Sequence, residues 1–242
     1  MRGPILTVLF IFFTLSAASC IPLGNVRADQ YRRCNPDEAT CQESVTIFMR
    51  SPKGLGYSGS GVVVSSDGLI LAEAHVIGED LEATIQVCSE QKAKLNCEPA
   101  YLVAFDYHLD LALIQVPRHF NAVARLGSTA GLHPGSALYV ISSPDGKFHQ
   151  TLTSVQFEER GVFWEDYDTV IPKLRLKAAT VGIAPGSSGG GVFDAEGRLV
   201  GVIQRSERSE RHISYAIPVE VIRFFLENTR SCTGAPNACV PH

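Results

Sequence analysis

The sequence predicts an all-β protein that consists of two barrels followed by one helix. From Val45 onward, short apolar or alternating segments are separated by turn residues, which is typical of β-strands. About twelve such segments lie within roughly 175 residues, which is too many for one small barrel. A single segment near the C-terminus has a convincing helical pattern. Many short strands with one terminal helix therefore favour an all-β architecture of two barrels.

The chain begins with a predicted export signal. The basic Arg2 precedes an apolar run from Ile5 to Leu15, and small residues follow it up to Cys20. A basic start, a short apolar run and small residues at the cleavage site define a signal peptide. The run is shorter than the ~20 residues that a membrane-spanning helix needs. We therefore expect an exported protein, located in the periplasm or outside the cell.

Cys20 has two interpretations that the sequence leaves open. Small residues before a cysteine, behind an apolar run, resemble the lipobox of bacterial lipoproteins, in which the cysteine is acylated and tethers the protein to a membrane. Ala17, however, stands where a lipobox usually has leucine, and cleavage just after Cys20 would remove the cysteine. Membrane anchoring through an acylated Cys20 is thus an alternative to release of the free protein.

The strands are predicted from turn residues and apolar patterning. Asp67 and Gly68 separate two apolar strands as a tight hairpin turn would. The apolar strand 111–116 is stopped by Pro117. A second hairpin pairs 82–88 with 101–105, and further strands are predicted at 137–142, 151–157, 175–179, 191–194, 199–204 and 213–217.

The same patterns divide the chain into segments. Residues 21–41 are polar and predicted to be irregular. Pro218 suits the first turn of the terminal helix, and apolar residues share one face of it. The predicted segments are a signal peptide at 1–20, an N-terminal arm at 21–41, a folded domain at 42–229 (barrel one about 42–117, barrel two about 128–217, helix 218–229) and a cysteine-containing tail at 230–242.

The cysteines other than Cys20 fall into three close pairs. Several connectivities are open to six cysteines, but the entropy of loop closure favours near neighbours, and export makes oxidation plausible. None of the pairs has the spacing or the nearby paired histidines of a zinc site, so no metal is predicted. The predicted disulfides are Cys34–Cys41, Cys88–Cys97 and Cys232–Cys239.

A glycine-rich loop from Pro185 to Gly191 contains Ser188. Glycine permits positive φ and close backbone approach, so such a loop can aim successive N–H groups at one point, as an oxyanion requires. A flexible Gly/Ser loop is the ordinary alternative. His75 just past a strand end and Asp110 at the start of an apolar strand argue against it, because the order His, Asp, Ser is that of a known catalytic triad.

Taken together, these motifs resemble trypsin-like serine proteases, and most of all the protease domain of the HtrA group. The resemblance covers residues 45–229 in family order. It implies two six-stranded antiparallel barrels of the chymotrypsin type, a serine endopeptidase activity on polypeptides and no cofactor. The matching segments are Gly59–Val64 with Ser66–Gly68, Ala74–Val76, Asp110–Ile114, Ser142–Pro144 with Thr151–Val155, Pro185–Gly190 and Tyr215–Pro218.

The resemblance also implies a role for each site residue. His75 corresponds to the general base, Asp110 to the carboxylate that orients it, and Ser188 to the nucleophile. Asp106 is the rival carboxylate, but it lies outside the matching motif. The N–H groups of Gly186 and Ser188 correspond to the oxyanion hole.

Several positions depart from the family. Ser187 replaces the Asn or Asp usual before the nucleophile, and Gly191 stands where proline is common. Ala72 and Glu73 replace the family's Thr-Asn before the histidine. Thirteen residues follow Thr229, where HtrA proteins continue into a PDZ domain, so regulation by peptide binding and oligomerisation is not implied, and no oligomeric state is predicted.

The predicted S1 pocket has an apolar base formed by Val181, Gly182 and Ile183. Without a carboxylate to pair with Lys or Arg, we expect a preference for small or apolar P1 residues. The charged segment 205–212 lies between two strands that resemble the pocket walls, and His212 reaching the pocket would instead give a glutamyl endopeptidase.

Composition narrows the remaining function classes. The net charge is −4 and charged residues make up 19% of the chain, so a nucleic-acid partner is not predicted. With one long apolar run, a polytopic membrane protein is excluded. An inactive trypsin-fold binding module is the alternative to a protease, and an esterase with the same triad is a third function.

Overall fold

The computed structural model describes most of the chain between residues 31 and 230. Outside the described residues lie the predicted signal peptide with Cys20, the tail with Cys232 and Cys239, and two predicted S1 residues, Val181 and Gly182. The described ranges are 31–35, 38–52, 54, 56–78, 83–91, 94–146, 150–162, 171–178, 183–207, 210 and 212–230.

The first described residues form strand β1 (Tyr31–Arg33) and the short helix α1 (Ala39–Gln42). β1 adds an edge strand to the second barrel, where Tyr31 to Arg33 pair antiparallel with residues 153 to 151. The Cys34–Cys41 disulfide then joins the end of β1 to α1. The expectation of an irregular arm was therefore wrong for this part of it, because long-range pairing with the barrel supplies order that the local sequence does not encode.

Six antiparallel strands close the first barrel, in the order β2-β3-β4-β7-β6-β5. Burial alternates over Thr84–Val87 on β5, and β7 is almost completely buried, which accounts for the alternating and the continuous apolar patterns of these segments. A short helix, α2 (Ala74–Ile77), follows β4. The strands are β2 (Ser44–Arg50), β3 (Gly56–Val63), β4 (Leu69–Ala72), β5 (Thr84–Gln91), β6 (Lys94–Asp106) and β7 (Leu111–Gln115).

Six further antiparallel strands close the second barrel, in the order β9-β10-β11-β14-β13-β12 with β9 returning to β10. β8 (Arg125–Leu126) runs parallel beside β13, and a 3₁₀ turn covers Pro144–Gly146. The strands are β9 (Ala137–Ser142), β10 (Thr151–Gly161), β11 (Lys173–Ala178), β12 (Gly191–Phe193), β13 (Arg198–Ser206) and β14 (Ile213–Pro218), and helix α3 (Val219–Arg230) follows them.

The two six-stranded barrels and the terminal helix confirm the predicted fold class. Two details differ from the prediction. Cys88 and Cys97 face each other in register on β5 and β6, so their disulfide crosses two paired strands rather than a loop. Pro218 is the last residue of β14, where it pairs with Gly201, so the helix begins one residue later than expected.

Three apolar clusters hold these elements together. One fills each barrel, and the third packs the outer faces of both barrels against α3. Ile222 and Phe225, one turn apart on α3, are buried in this third cluster. Within the described residues, the helices are all too short or too polar to cross a membrane. The shared cluster fixes the barrels against each other, and this sets the geometry of the cleft between them.

Candidate active site

His75 is placed beside Asp110 by the pairing of two strands in the first barrel. β4 and β7 pair with Leu71 opposite Leu113 and Ala72 opposite Ala112, so the end of β4 meets the start of β7. Helix α2 therefore begins next to Asp110. The N–H of Ala74 donates to the Asp110 carbonyl oxygen (3.2 Å) and the N–H of His75 donates to Asp110 Oδ1 (3.0 Å).

Asp110 ends a tight turn before β7 and has a φ of 54°. Aspartate tolerates this left-handed conformation better than most residues, which explains an aspartate at the position. The rival carboxylate, Asp106, accepts a hydrogen bond from the N–H of Leu109 at 3.0 Å. Asp106 thus closes the turn, while Asp110 faces His75.

The three predicted triad side chains form one continuous chain of hydrogen-bonding atoms. His75 Nδ1 lies 3.0 and 2.9 Å from the two carboxylate oxygens of Asp110, and His75 Nε2 lies 3.1 Å from Ser188 Oγ. The His75 side chain is 47% exposed, whereas that of Asp110 is 16% exposed. The order carboxylate, imidazole, hydroxyl is the arrangement that lets an imidazole accept a serine proton.

Gln204 on β13 adds to this series of hydrogen-bonding groups, and the sequence analysis did not identify Gln204 as a site residue. Its side-chain Nε2 donates to Asp110 Oδ2 at 2.8 Å, and its backbone carbonyl oxygen lies within hydrogen-bonding distance of Ser188 Oγ, at 3.0 Å. Gln204 therefore contacts both ends of the triad and links the two barrels. In the sequence it is only the end of a predicted strand, and no local motif marks it.

The serine loop is fixed by contacts with the first barrel. The N–H of Ser60 donates to the Ser188 carbonyl oxygen at 2.7 Å, and Ser60 Oγ donates to the Gly186 carbonyl oxygen at 2.8 Å. Gly186 and Gly189 adopt φ values of +91° and +82°, which glycine reaches without strain. These contacts turn the two carbonyl groups towards β3, away from the cleft.

The predicted oxyanion donors lie in this loop. The N–H of Ser187 donates to the carbonyl oxygen of Ala184, and the N–H of Gly189 donates to the carbonyl oxygen of Ile203. Among the described residues, the N–H groups of Gly186 and Ser188 have no backbone acceptor. The loop thus leaves two nearby N–H groups available next to Ser188 Oγ, as stabilisation of an oxyanion requires.

Glu73 is a further ionisable residue beside the triad. Its side chain is fully buried, and Oε2 lies 3.8 Å from His75 Nε2. Burial and, to a lesser degree, the nearby Asp110 raise the pKa of Glu73 well above its usual range, despite opposing effects of the Gly189 N–H, Lys173 and the Ser188 hydroxyl. Sequence analysis noted Glu73 only as a departure from the family, because its burial depends on the tertiary fold.

Of the described residues, Glu73, His75 and Asp110 are the one group close enough to share a metal ion. The facing atoms of His75 and Asp110 are already hydrogen-bonded to each other. We therefore do not assign these three side chains as metal ligands.

Part of the predicted S1 pocket falls on described residues. Ile183 is buried, and its carbonyl oxygen accepts a hydrogen bond from Ser206 Oγ at the end of β13. Arg205 precedes Ser206 on β13, and its guanidinium lies 5.5 Å from the ring centre of Tyr215 on β14. His212 is exposed at the start of β14. The segment before the serine loop is thus hydrogen-bonded to the end of β13.

Comparison with known proteins agrees with this architecture. A family model described as a trypsin-like peptidase domain matches residues 59–202. A probable periplasmic serine endoprotease, DegP-like, from Hahella chejuensis is 31% identical over 198 residues, covering 80% of this chain and 36% of the relative. A putative serine protease HhoB from a Synechocystis strain is 26% identical over 171 residues, covering 71% of this chain and 40% of the relative.

Solved structures give the same result. The serine endoprotease from Yersinia pestis superposes with a TM-score of 0.64 at 25% identity, covering 81% of this chain and 66% of that one. The Rv3671c protease from M. tuberculosis superposes with a TM-score of 0.67 at 20% identity, covering 84% and 85% of the two chains, which supports the fold alone.

A two-barrel fold with a histidine, an aspartate and a serine meeting in the cleft defines the chymotrypsin-like class. Because the family model matches more than half of the chain, the chain belongs to the trypsin-like peptidase domain family. It spans only about a third of the length of the DegP-like relatives, 36% in the Hahella protein.

Replacement of Gly189 by alanine tests the loop geometry. A Cβ atom at this position would overlap the Ser60 carbonyl oxygen, and φ is +82°. We expect Gly189→Ala to lower the free energy of unfolding by about 3 kcal/mol, measured by urea denaturation. Gly131→Ala is the matched control, because no described atom lies within 4 Å of its Cβ position. The control should change stability by less than about 0.5 kcal/mol, and equal effects of the two changes would contradict the loop geometry.

Proposed function

We propose that this protein is an exported serine endopeptidase that hydrolyses peptide bonds through an acyl-enzyme. The observation that carries the proposal is the unbroken contact of Asp110, His75 and Ser188, with ring-to-hydroxyl and ring-to-carboxylate distances of 3.1 and 2.9 Å. Membership of the trypsin-like peptidase family and similarity to proteins named serine endoproteases support it.

In the proposed mechanism, Ser188 Oγ attacks the scissile carbonyl carbon while His75 Nε2 accepts the hydroxyl proton. Asp110, hydrogen-bonded to Nδ1, keeps the unprotonated nitrogen directed at Ser188 and stabilises the imidazolium that forms. The N–H groups of Gly186 and Ser188 bind the developing oxyanion. His75 then protonates the leaving amine, and a water molecule activated by His75 releases the acyl group from Ser188.

Gln204 and Ser60 keep these groups in position. Gln204 donates to Oδ2 of Asp110, which also lies 2.9 Å from His75 Nδ1, and this restricts rotation of the carboxylate away from the ring. Ser60 fixes the loop carbonyl groups, so the adjoining N–H groups stay available to the oxyanion. Loss of a single oxyanion donor typically costs ~10²–10³ in rate, so this support matters for turnover.

The proposed substrates are polypeptides with a small or apolar P1 side chain. Val181, Gly182 and Ile183 supply no carboxylate at the expected base of the pocket. A lysine or arginine there would be buried without a partner, at a cost of several kcal/mol. An aliphatic P1 residue would instead gain about 25 cal/mol for each Å² of apolar surface buried.

The proposed organisation places the peptidase domain at 42–229, after a signal peptide at 1–20 and an arm at 21–41. The periplasmic designation of the DegP-like relatives supports export of this chain as well. Whether Cys20 is acylated or removed decides between a membrane-anchored and a free protein, and intact mass of the purified mature chain separates the two.

Covalent labelling of the nucleophile tests the proposed function. A fluorophosphonate should modify Ser188 alone, and Ser188→Ala should lose both the label and more than about 10⁴-fold in peptidase rate while keeping its circular dichroism spectrum. Ser187→Ala is the matched control, because Ser187 is the adjacent serine but is buried and hydrogen-bonded to Ser142. A folded chain that neither labels nor cleaves would favour the inactive binding module instead.

A peptide library varied at P1 tests the proposed specificity. Cleavage should be fastest after Val, Ala, Leu or Met and slow after Lys and Arg, because the pocket offers a buried cation no partner. Fast cleavage after Lys or Arg would refute the apolar pocket. Fast cleavage after Glu would assign His212 or Arg205 to the pocket and make the protein a glutamyl endopeptidase.

A further inference from the structure

Glu73 is a buried acid at the centre of the site that the mechanism above does not use. Its side chain is 0% exposed, and neither carboxyl oxygen has a hydrogen-bond partner among the described residues. Leaving a buried polar group unpaired costs free energy, and leaving a buried charge unpaired costs far more. An unpaired glutamate in this position therefore calls for an explanation.

The groups around Glu73 come from both barrels. His75 on α2 is nearest, with Nε2 3.8 Å from Oε2, and Asp110 at the start of β7 adds a like charge. Lys173 on β11 contributes a positive charge, and the Ser188 hydroxyl and the Gly189 N–H approach from the serine loop. The effects of burial and Asp110 outweigh the other three, which raises the pKa of Glu73.

The ionisation of Glu73 bears directly on the atom that must accept the serine proton. Asp110 faces Nδ1 of His75, whereas Glu73 lies on the side of Nε2. A carboxylate next to Nε2 would pair with an imidazolium and hold a proton on the nitrogen that has to be free. A neutral carboxylic acid has no negative charge to favour the imidazolium, so His75 stays available as a base.

We propose that Glu73 is a positioning residue that supports the triad only as the neutral acid and inactivates it on ionisation. The proposal rests on the proposed peptidase function and adds a regulatory group to the same site. Ionised Glu73 acts in two ways: it favours the protonated form of His75, and it places a negative charge near Ser188 that opposes formation of the oxyanion. Both effects lower kcat/KM.

The direction of the pH dependence follows from the raised pKa. Glu73 stays protonated at pH values at which an ordinary glutamate is ionised, so the active neutral form persists through that range. Activity that needs the neutral acid is lost as pH rises through the raised pKa. The triad alone has no acid with this behaviour, so an alkaline fall in activity is the signature of Glu73.

The pH profile of kcat/KM in Glu73→Gln tests the proposal, because glutamine has the shape of the neutral acid and cannot ionise. Each protein is compared with its own rate at neutral pH. The unmodified protein should lose about tenfold or more on the alkaline side, as expected for a charge at this distance, and Glu73→Gln should lose little. An equal alkaline fall in both proteins, or none in the unmodified protein, would overturn the proposal.

Two further variants guard against a general effect of removing a buried acid. Glu43→Gln is the matched control: burial also raises the pKa of Glu43, to about 7, against the opposing charge of Arg125, but Glu43 belongs to the end of α1 and not to the site. Glu43→Gln should keep the alkaline fall in kcat/KM.

Glu73→Asn restores the residue that is usual in the family. This variant should lose the alkaline fall in kcat/KM, as Glu73→Gln does, and a fall retained in Glu73→Asn would contradict the proposal.

A measurement without turnover separates this inference from the proposed function. In Ser188→Ala, the imidazole signals of His75 are followed by NMR across the same pH range. With Glu73 present they should shift a second time as Glu73 ionises, and with Glu73→Gln added the second shift should vanish. If the second shift is seen but the unmodified protein neither reacts with the fluorophosphonate nor cleaves peptides, the peptidase assignment is wrong and the coupling between Glu73 and His75 stands. If the second shift is absent with Glu73 present, the coupling is contradicted.

Discussion

The contact between Ser60 and the serine loop holds the two halves of the site together. His75 and Asp110 belong to the first barrel and Ser188 to the second, so the site exists only if the barrels meet within hydrogen-bonding tolerance. Ser60 is fully buried on β3; its N–H and Oγ both bind the serine loop, and the N–H of Ser143 donates to the same Oγ at 2.8 Å. The backbone and side chain of one small residue thus hold the carbonyl groups of Gly186 and Ser188 and the neighbouring Ser143.

The apolar cluster between the barrels makes this polar contact possible. Packing of both barrels against Ile222 and Phe225 of α3 excludes water and sets their separation. Hydrogen bonds in such surroundings are stronger than in water, and unpaired polar groups are correspondingly costly. Burial next to the Ser60 contacts also raises the pKa of Glu73. Geometry and electrostatics of the site therefore have a common origin in the burial between the barrels.

Local sequence patterns were enough to predict the fold and the three central residues. Alternating apolar residues and turn residues predict the strands. His75, Asp110 and Ser188 lie in short motifs that follow one another in the order of a known catalytic triad. The roles of Gln204 and Glu73 were not predictable in this way, because each depends on which residues of a distant segment surround it. The pairing of β1 with β10 was missed for the same reason. Contacts between segments that are distant in the sequence are thus what local patterns could not predict, and two of these residues, Gln204 and Glu73, lie next to His75, Asp110 and Ser188.

The most direct test of this account is a crystal structure of the chain with a peptide boronic acid. We expect a bond from Ser188 Oγ to boron, with one boronate oxygen about 2.7–3.1 Å from the N–H groups of Gly186 and Ser188. His75 should remain between Ser188 and Asp110, with Gln204 still bound to Asp110. A boronate bound away from Ser188, or one bonded to Ser188 with its oxygen directed away from both N–H groups, would contradict the proposed mechanism.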